Sequence, residues 1–397
     1  GRRRGAHLRL NRVLQYPTPS TPIPLRLAAA IVVAHVAFSG NRFIFTLHAV
    51  ALGATPLEIG LLLGLLMAGP MVLSVQFGRW SDRIGYQRLS VIGFTMLIAA
   101  GLAAAAAGGL PLLCVASVLT GCGYMLAHVA VYNAIGRVTP SSHTTSAFSL
   151  LATAFSLSAL GGPLLSGIAI DQLGHRGAYL AMTVFAVASL LALWWATRRY
   201  SVPPVPDTAR AKAHVFDLLQ DNGLQAVFVA SGLLSMAWDL FIFLAPLQGV
   251  RSGLSATATG AIVAAFSAGT FAIRLVLPAI ARRLGEWRIM AATLFVTAAG
   301  FVAFPLMQGL GPLATAAFLL GMSLGCSQPV SMSLVYRTSP PQRAGEAVGI
   351  RATITAFSQT ALPMLFGALG SAAGMVTVFW VASALLIAGG ASAARRG

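Results

Sequence analysis

Acidic side chains are scarce in this chain: nine Asp and Glu stand against 26 Lys and Arg, and charged residues of all kinds make up only 9% of the 397 residues. Soluble domains carry about 25% charged residues. A water-soluble protein this poor in charge would expose large apolar patches and aggregate, which excludes an ordinary soluble globule. Lysine is almost missing, with Lys212 the single copy, and it lies in a polar, Pro-rich stretch. A P-loop needs a phosphate-binding lysine after its glycines, so the chain carries no nucleotide motor of its own. Cysteine is rare too. Cys114, Cys122 and Cys326 fall inside apolar runs and form neither a CxxC nor a metal spacing, so they read as small buried hydrophobes. No HExxH, paired catalytic carboxylates or N-x-[ST] site occurs. Gly321, Ser323 and Gly325 match G-x-S-x-G inside an apolar run rather than at a strand-to-helix elbow, which reads as helix packing. No enzyme, metal or cofactor is indicated.

What the chain has in excess is apolar sequence: 57% of residues are hydrophobic and the mean hydropathy is +0.81. A membrane-spanning helix needs about 20 predominantly apolar residues. Such runs cover 25–51, 56–78, 88–109, 111–135, 145–171, 177–198, 223–249, 254–281, 287–309, 311–336, 345–370 and 373–394. No alternating barrel pattern is visible, and in hydrocarbon the backbone must satisfy its own hydrogen bonds. The expected fold is therefore an all-α integral membrane protein of twelve transmembrane helices, called spans one to twelve below. Residues 1–24 are basic and Pro-containing and read as an uncleaved cytoplasmic arm, because the following run is too long for a signal-peptide core. Residues 199–222, Pro-rich and charged, read as a cytoplasmic linker that divides the chain into 25–198 and 223–397, six spans each.

The net charge of +17 and pI near 11.4 would ordinarily suggest nucleic acid. Here the arginines follow the positive-inside rule instead. Arg79, Arg83, Arg88, Arg282, Arg283, Arg288 and Arg337 share one side with both termini, and only Arg176 and Arg251 fall in the opposite loops. This places both termini in the cytoplasm, with a bacterial-type inner membrane as the setting and no nucleic acid as partner.

The two halves repeat at an offset of 200. Arg83, Gly85 and Arg88 match Arg283, Gly285 and Arg288; Arg137 and Pro140 match Arg337 and Pro340; Thr153, Ser158, Pro163 and Gly167 match Thr353, Ser358, Pro363 and Gly367. Parallel repeats of this kind build alternating-access transporters, with the substrate site near the midplane between them.

The loop between spans two and three, GRWSDRIGYQR at 78–88, resembles the G-x-L-A-D-R-x-G-R-K signature of the major facilitator superfamily. The resemblance implies two pseudo-symmetric six-helix bundles. It also implies a conformational motif of Gly78, Asp82, Arg83, Gly85 and Arg88, in which Asp82 meets the amino-terminal end of span eleven and holds the halves together at the cytoplasmic face. Gly78 and Gly85 would permit a tight turn and close helix approach. The second copy, PAIARRLGEWR at 278–288, has Arg282 where the aspartate would stand. In span five, Ser158, Gly162, Pro163, Ser166 and Gly167 are similar to the antiporter motif G-x-x-x-G-P-x-x-G-G of the drug/proton branch, with serine twice replacing glycine. The motif goes with efflux, though Gly162, Pro163 and Gly167 also suit simple helix packing. In span four the place of the family's buried arginine is taken by Ser117–Thr120.

Ionisable groups inside a membrane are costly and default to function. They are few: Arg42 in span one, Asp239 in span seven, Arg274 in span eight and Arg351 in span eleven, with His35 and His128 besides. Spans one and seven are equivalent helices, so an Arg42–Asp239 pair across a central cavity is expected, broken by protonation of Asp239 or by a charged solute. Arg274 reads as an inward-snorkelling side chain or a partner for Asp82; Arg351 reads as a gate or an anion contact. His128, equivalent to Gln328 under the offset, is a candidate solute or proton contact. Asn41, Tyr124, Trp238 and Gln359 lie at plausible cavity depth. More arginine than aspartate in the cavity suits a small anionic or zwitterionic organic solute. The expectation is a monomeric, proton-coupled transporter, exporting by exchange or importing by symport, with multidrug export as a further alternative and a membrane-embedded sensor or enzyme on the same scaffold as the last.

Overall fold

The computed structural model describes residues 23–138, 144–197, 221–339 and 344–396. The basic arm and almost all of the 199–222 linker lie outside them. Within them the chain is helical, without a strand. Span one is Ile23–Ala51, span two Pro56–Ile84, span three Tyr86–Ala105 and span four Leu110–Val138. The next helix, Thr144–Thr197, runs on for 54 residues. Its apolar stretch of 47 residues would be about 70 Å long at ~1.5 Å per residue, more than twice a hydrocarbon core of ~30 Å. Gly174 breaks it, with φ 70° and ψ 177°. It therefore makes two passes, spans five and six, and the eleven apolar helical stretches among the described residues amount to twelve crossings. Span seven is Asn222–Arg251, span eight Ala256–Leu284, span nine Glu286–Ala303, span eleven Ala344–Ala373 and span twelve Met375–Ala394. Span ten has two segments, Leu310–Gly325 and Ser327–Thr338, joined at Cys326.

The turns follow local chemistry. Thr55 caps span two with a full capping box to Glu58, and Ser255, 200 residues on, caps span eight. Gly85 and Gly285 join spans two to three and eight to nine at φ 85° and 77°, values at which a Cβ would be strained. Gly78 differs from expectation: it sits inside span two, and among the described residues nothing approaches where a side chain would project, so the turn rests on Gly85.

Packing is duplicated as well. Span one packs on five, two on four, three on six; seven packs on eleven, eight on ten, nine on twelve. Between the halves, span two meets eleven and span five meets eight. Both seams are tight at the arginine-poor end of the bundle. A methyl group on Gly167 would overlap the Ala256 carbonyl and one on Gly260 the Pro163 carbonyl; on the other seam Gly367 faces Pro56 and Gly60 faces Pro363 in the same way. Beside the first seam, His175 of span six stacks on His48 of span one with ring centroids 4.8 Å apart, and Tyr179 lies 5.7 Å from His48.

Candidate functional site

A cavity of about 270 Å³ opens between spans one, five, seven and eight, with Gln328 of span ten at its edge. Span one contributes His35, Phe38, Ser39 and Arg42, the i, i+3, i+4, i+7 stripe that one helix face presents. Span five adds Phe155, Ser156 and Pro163, span seven Trp238 and Ile242, and span eight Ser267, Thr270 and Arg274. Aromatic walls with a few polar groups at fixed points are the usual composition of a small-molecule site.

The charges are unevenly satisfied. Arg42 Nη2 lies 3.5 Å from Asp239 Oδ1, across the line between the halves; the Asp239 side chain is 2% exposed and that of Arg42 15%. At that separation the bond is long, and Arg42 Nε is buried without a partner. By contrast Arg337 at the arginine-rich end donates from Nη1 to both carboxylate oxygens of Glu286, at 2.7 and 2.8 Å, and Ser333 donates to the same carboxylate. The Glu286 pair occupies the second copy of the signature loop, where Arg282 stands in the aspartate's place. Burying a charge without full compensation costs several kcal/mol, so the Arg42–Asp239 contact is the less fully compensated of the two pairs.

The remaining sequence candidates separate into lining and support. His35 accepts or donates at Nδ1 with Ser158 Oγ at 2.7 Å, so the serine that replaces the antiporter-motif glycine fixes the ring that faces the cavity. Tyr124 stacks on Phe38 at 4.3 Å, and His128 packs against Tyr132 at 4.1 Å and against Phe155. Both support the wall from behind and are absent from the lining, as is Asn41, which is 1% exposed with its Oδ1 unpartnered. Arg351 is half-buried; its Nη1 reaches Met332 Sδ at 3.5 Å and its Nε has no partner. It and Gln359 also lie outside the lining. Gly162 packs onto Ser39 and Gly40 of span one, and Pro163 meets Gly260 of span eight, so the span-five motif holds two neighbours at close range. Arg83 and Arg88 are exposed at the arginine-rich end. The Asp82 side chain, and residues 340–343 before span eleven, lie outside what the structure describes.

Phe38, Ser39, Phe155 and Ser156 were not singled out from sequence. The mixed polar and aromatic stripe on span one was the available signal, but aromatic residues on a helix face usually mean packing.

Two equivalent six-helix halves enclosing a partly charged cavity are the architecture on which alternating-access transporters are built. The Major Facilitator Superfamily profile matches residues 27–345 and 228–395, and the chain belongs to that superfamily. Among curated proteins it is 22% identical over 259 residues to the multidrug resistance protein MdtG of Citrobacter koseri; the match covers 64% of this chain and 64% of that relative, just under two thirds of its length. Among solved structures it resembles the nucleoside transporter NupG, with TM-score 0.79, 12% identity and coverage of 94% and 99% of the two chains. A bacterial homologue of the human lysosomal transporter Spinster gives TM-score 0.76 and 13% identity, covering 95% and 98%. A POT family transporter in complex with 5-aminolevulinic acid gives TM-score 0.78 and 12% identity, covering 93% and 94%.

Proposed function

We propose that this transporter carries a small anionic or zwitterionic organic solute by alternating access, coupled to protons, and that it works as an exporter. The observation that carries the reading is the long Arg42–Asp239 contact at 3.5 Å, made by equivalent helices of the two halves at the cavity wall. Protonating Asp239 releases Arg42 and adds a positive charge to the wall: a zwitterion whose ammonium takes Asp239 is then expelled, the linkage of exchange, whereas a plain anion is drawn in, the linkage of symport. Proton binding and solute binding are thereby linked through one carboxylate. The relative MdtG is named for multidrug resistance and supports export. The cavity's two arginines oppose lipophilic cations and favour solutes with a carboxylate, the class of the 5-aminolevulinic acid bound in one structural relative.

The arginine-rich end is assigned to the cytoplasm and the membrane to a bacterial inner membrane, with 25–198 and 223–397 as the two moving units. Asp82 is assigned to the cytoplasmic lock on span eleven. Flux into proteoliposomes under an imposed pH gradient, screened over organic anions, tests the coupling. Asp239→Asn should abolish gradient-driven flux while leaving counterflow, a loss of at least about tenfold, since one buried charged contact contributes about 1.5–3 kcal/mol. Arg42→Ala should lose both. Undiminished gradient-driven flux in Asp239→Asn would sink the coupling. Import by symport uses the same pair, and the direction of flux with acid on one side decides between them.

A further inference from the structure

We infer that Arg274 is the anion-binding residue of the cavity and that the solute is a small monocarboxylate with a flat aromatic body. This rests on the transporter reading above and names its substrate class. About 15 Å of helix, ten residues at ~1.5 Å each, separates Arg274 from the last residue of span eight, and the side chain does not turn back along that path. It reaches across to the neighbouring span five, where Nη1 donates to Ser156 Oγ at 2.5 Å and approaches the Ala152 carbonyl at 3.5 Å. Among the described residues no carboxylate lies within ion-pair distance of it. Ser156 thus fixes the orientation of one guanidinium nitrogen and leaves the others for a bidentate carboxylate, the geometry that suits arginine.

The charge tally gives the valence. Arg42, Arg274 and Asp239 are the charged side chains on or paired to the wall, one net positive charge in a membrane, where uncompensated charge is expensive. A monoanion on Arg274 cancels it without disturbing the Arg42–Asp239 pair; a dianion overshoots and a cation worsens it. The walls give the shape. Phe38, Phe155 and Trp238 offer ring faces, and about 270 Å³ falls below the ~300–1,000 Å³ of drug-sized sites, room for one or two fused rings.

Equilibrium binding to the purified protein, read by tryptophan fluorescence and calorimetry, tests this separately from flux. The probes are benzoate and 2-naphthoate, with benzamide and benzylamine as neutral and cationic isosteres. The wild type should prefer benzoate to benzamide by at least about tenfold, one charged hydrogen-bonded contact. Arg274→Gln should erase that preference while benzamide affinity holds, Arg274→Lys should keep part of it, and Phe155→Ala should weaken acid and amide alike. An acid preference that survives Arg274→Gln overturns the proposal, as does failure of both acids to bind the wild type. In the latter case, pH-driven flux of other organic anions would leave the transporter reading standing.

Discussion

The two seams that close the arginine-poor end share one shape and differ in charge. On the first, Asp171 at the end of span five accepts from the amides of Ala256 and Thr257, at 3.0 and 2.8 Å, the start of span eight. On the second, Ser371 at the end of span eleven accepts from the amide of Leu57 at 3.0 Å, the start of span two. Residues 171 and 371, and 257 and 57, are equivalent under the offset of 200. The glycine contacts are the same on both. The steric fit is therefore duplicated, whereas among the described residues a carboxylate that reaches across from the other half to the positive end of a helix is seen on the first seam alone; span two carries its own Glu58 there. Closure needs both seams to mesh, but the first should be the harder to part.

That asymmetry can be broken in steps. A cysteine placed at Leu247, which lines a hollow at this end, reports opening by its alkylation rate once Cys114, Cys122 and Cys326 are replaced. The largest change is expected for Gly167→Leu, which drives a side chain into the Ala256 backbone. Overpacking of this kind costs about 1–3 kcal/mol, a shift of about tenfold toward the open end, with flux falling in proportion. Gly367→Leu should match it, because the fit is duplicated; unequal effects would show that the seams are not mechanically equivalent. Asp171→Ala comes next. Losing a side chain that accepts from free amides at a helix start costs about 0.5–2 kcal/mol, so alkylation should rise several-fold, and by less at high salt because the group is exposed and screened. Ser371→Ala should be smallest, since one exposed neutral hydrogen bond contributes about 0.5–1.5 kcal/mol at most. If Ser371→Ala opened the end more than Asp171→Ala, the charge would not be what distinguishes the seams.

Most of the architecture was legible because a membrane simplifies the code. Apolar runs of the right length marked the crossings, and the constant offset tied Gly85 to Gly285 and Pro163 to Pro363 across loops as well as helices. The same offset made spans one and seven equivalent, which is why Arg42 and Asp239 could be paired on paper. What escaped was lateral. Arg274 was read as an inward-snorkelling side chain or a partner for Asp82, whose side chain lies outside the described residues, and its contacts with Ser156 and Ala152 of span five, more than a hundred residues away, were not anticipated. Asp171 carried no signal at all, since its partners are backbone amides and backbone has no side-chain signature. The Ser158–His35 bond was hidden in a substitution that looked only like a small-residue swap. The boundary between spans five and six was read as a gap between two apolar runs, whereas the helix continues through it to a single glycine hinge.

That hinge has a mechanical consequence. Gly174 turns the chain with no loop to spare, so Asp171, three residues before it, cannot withdraw from span eight without pulling on span six. Span six in turn is stacked on span one through His175 and His48. The gate at this end is then a stiff plate of three helices rather than a hinged flap, and parting it means lifting the whole plate at once.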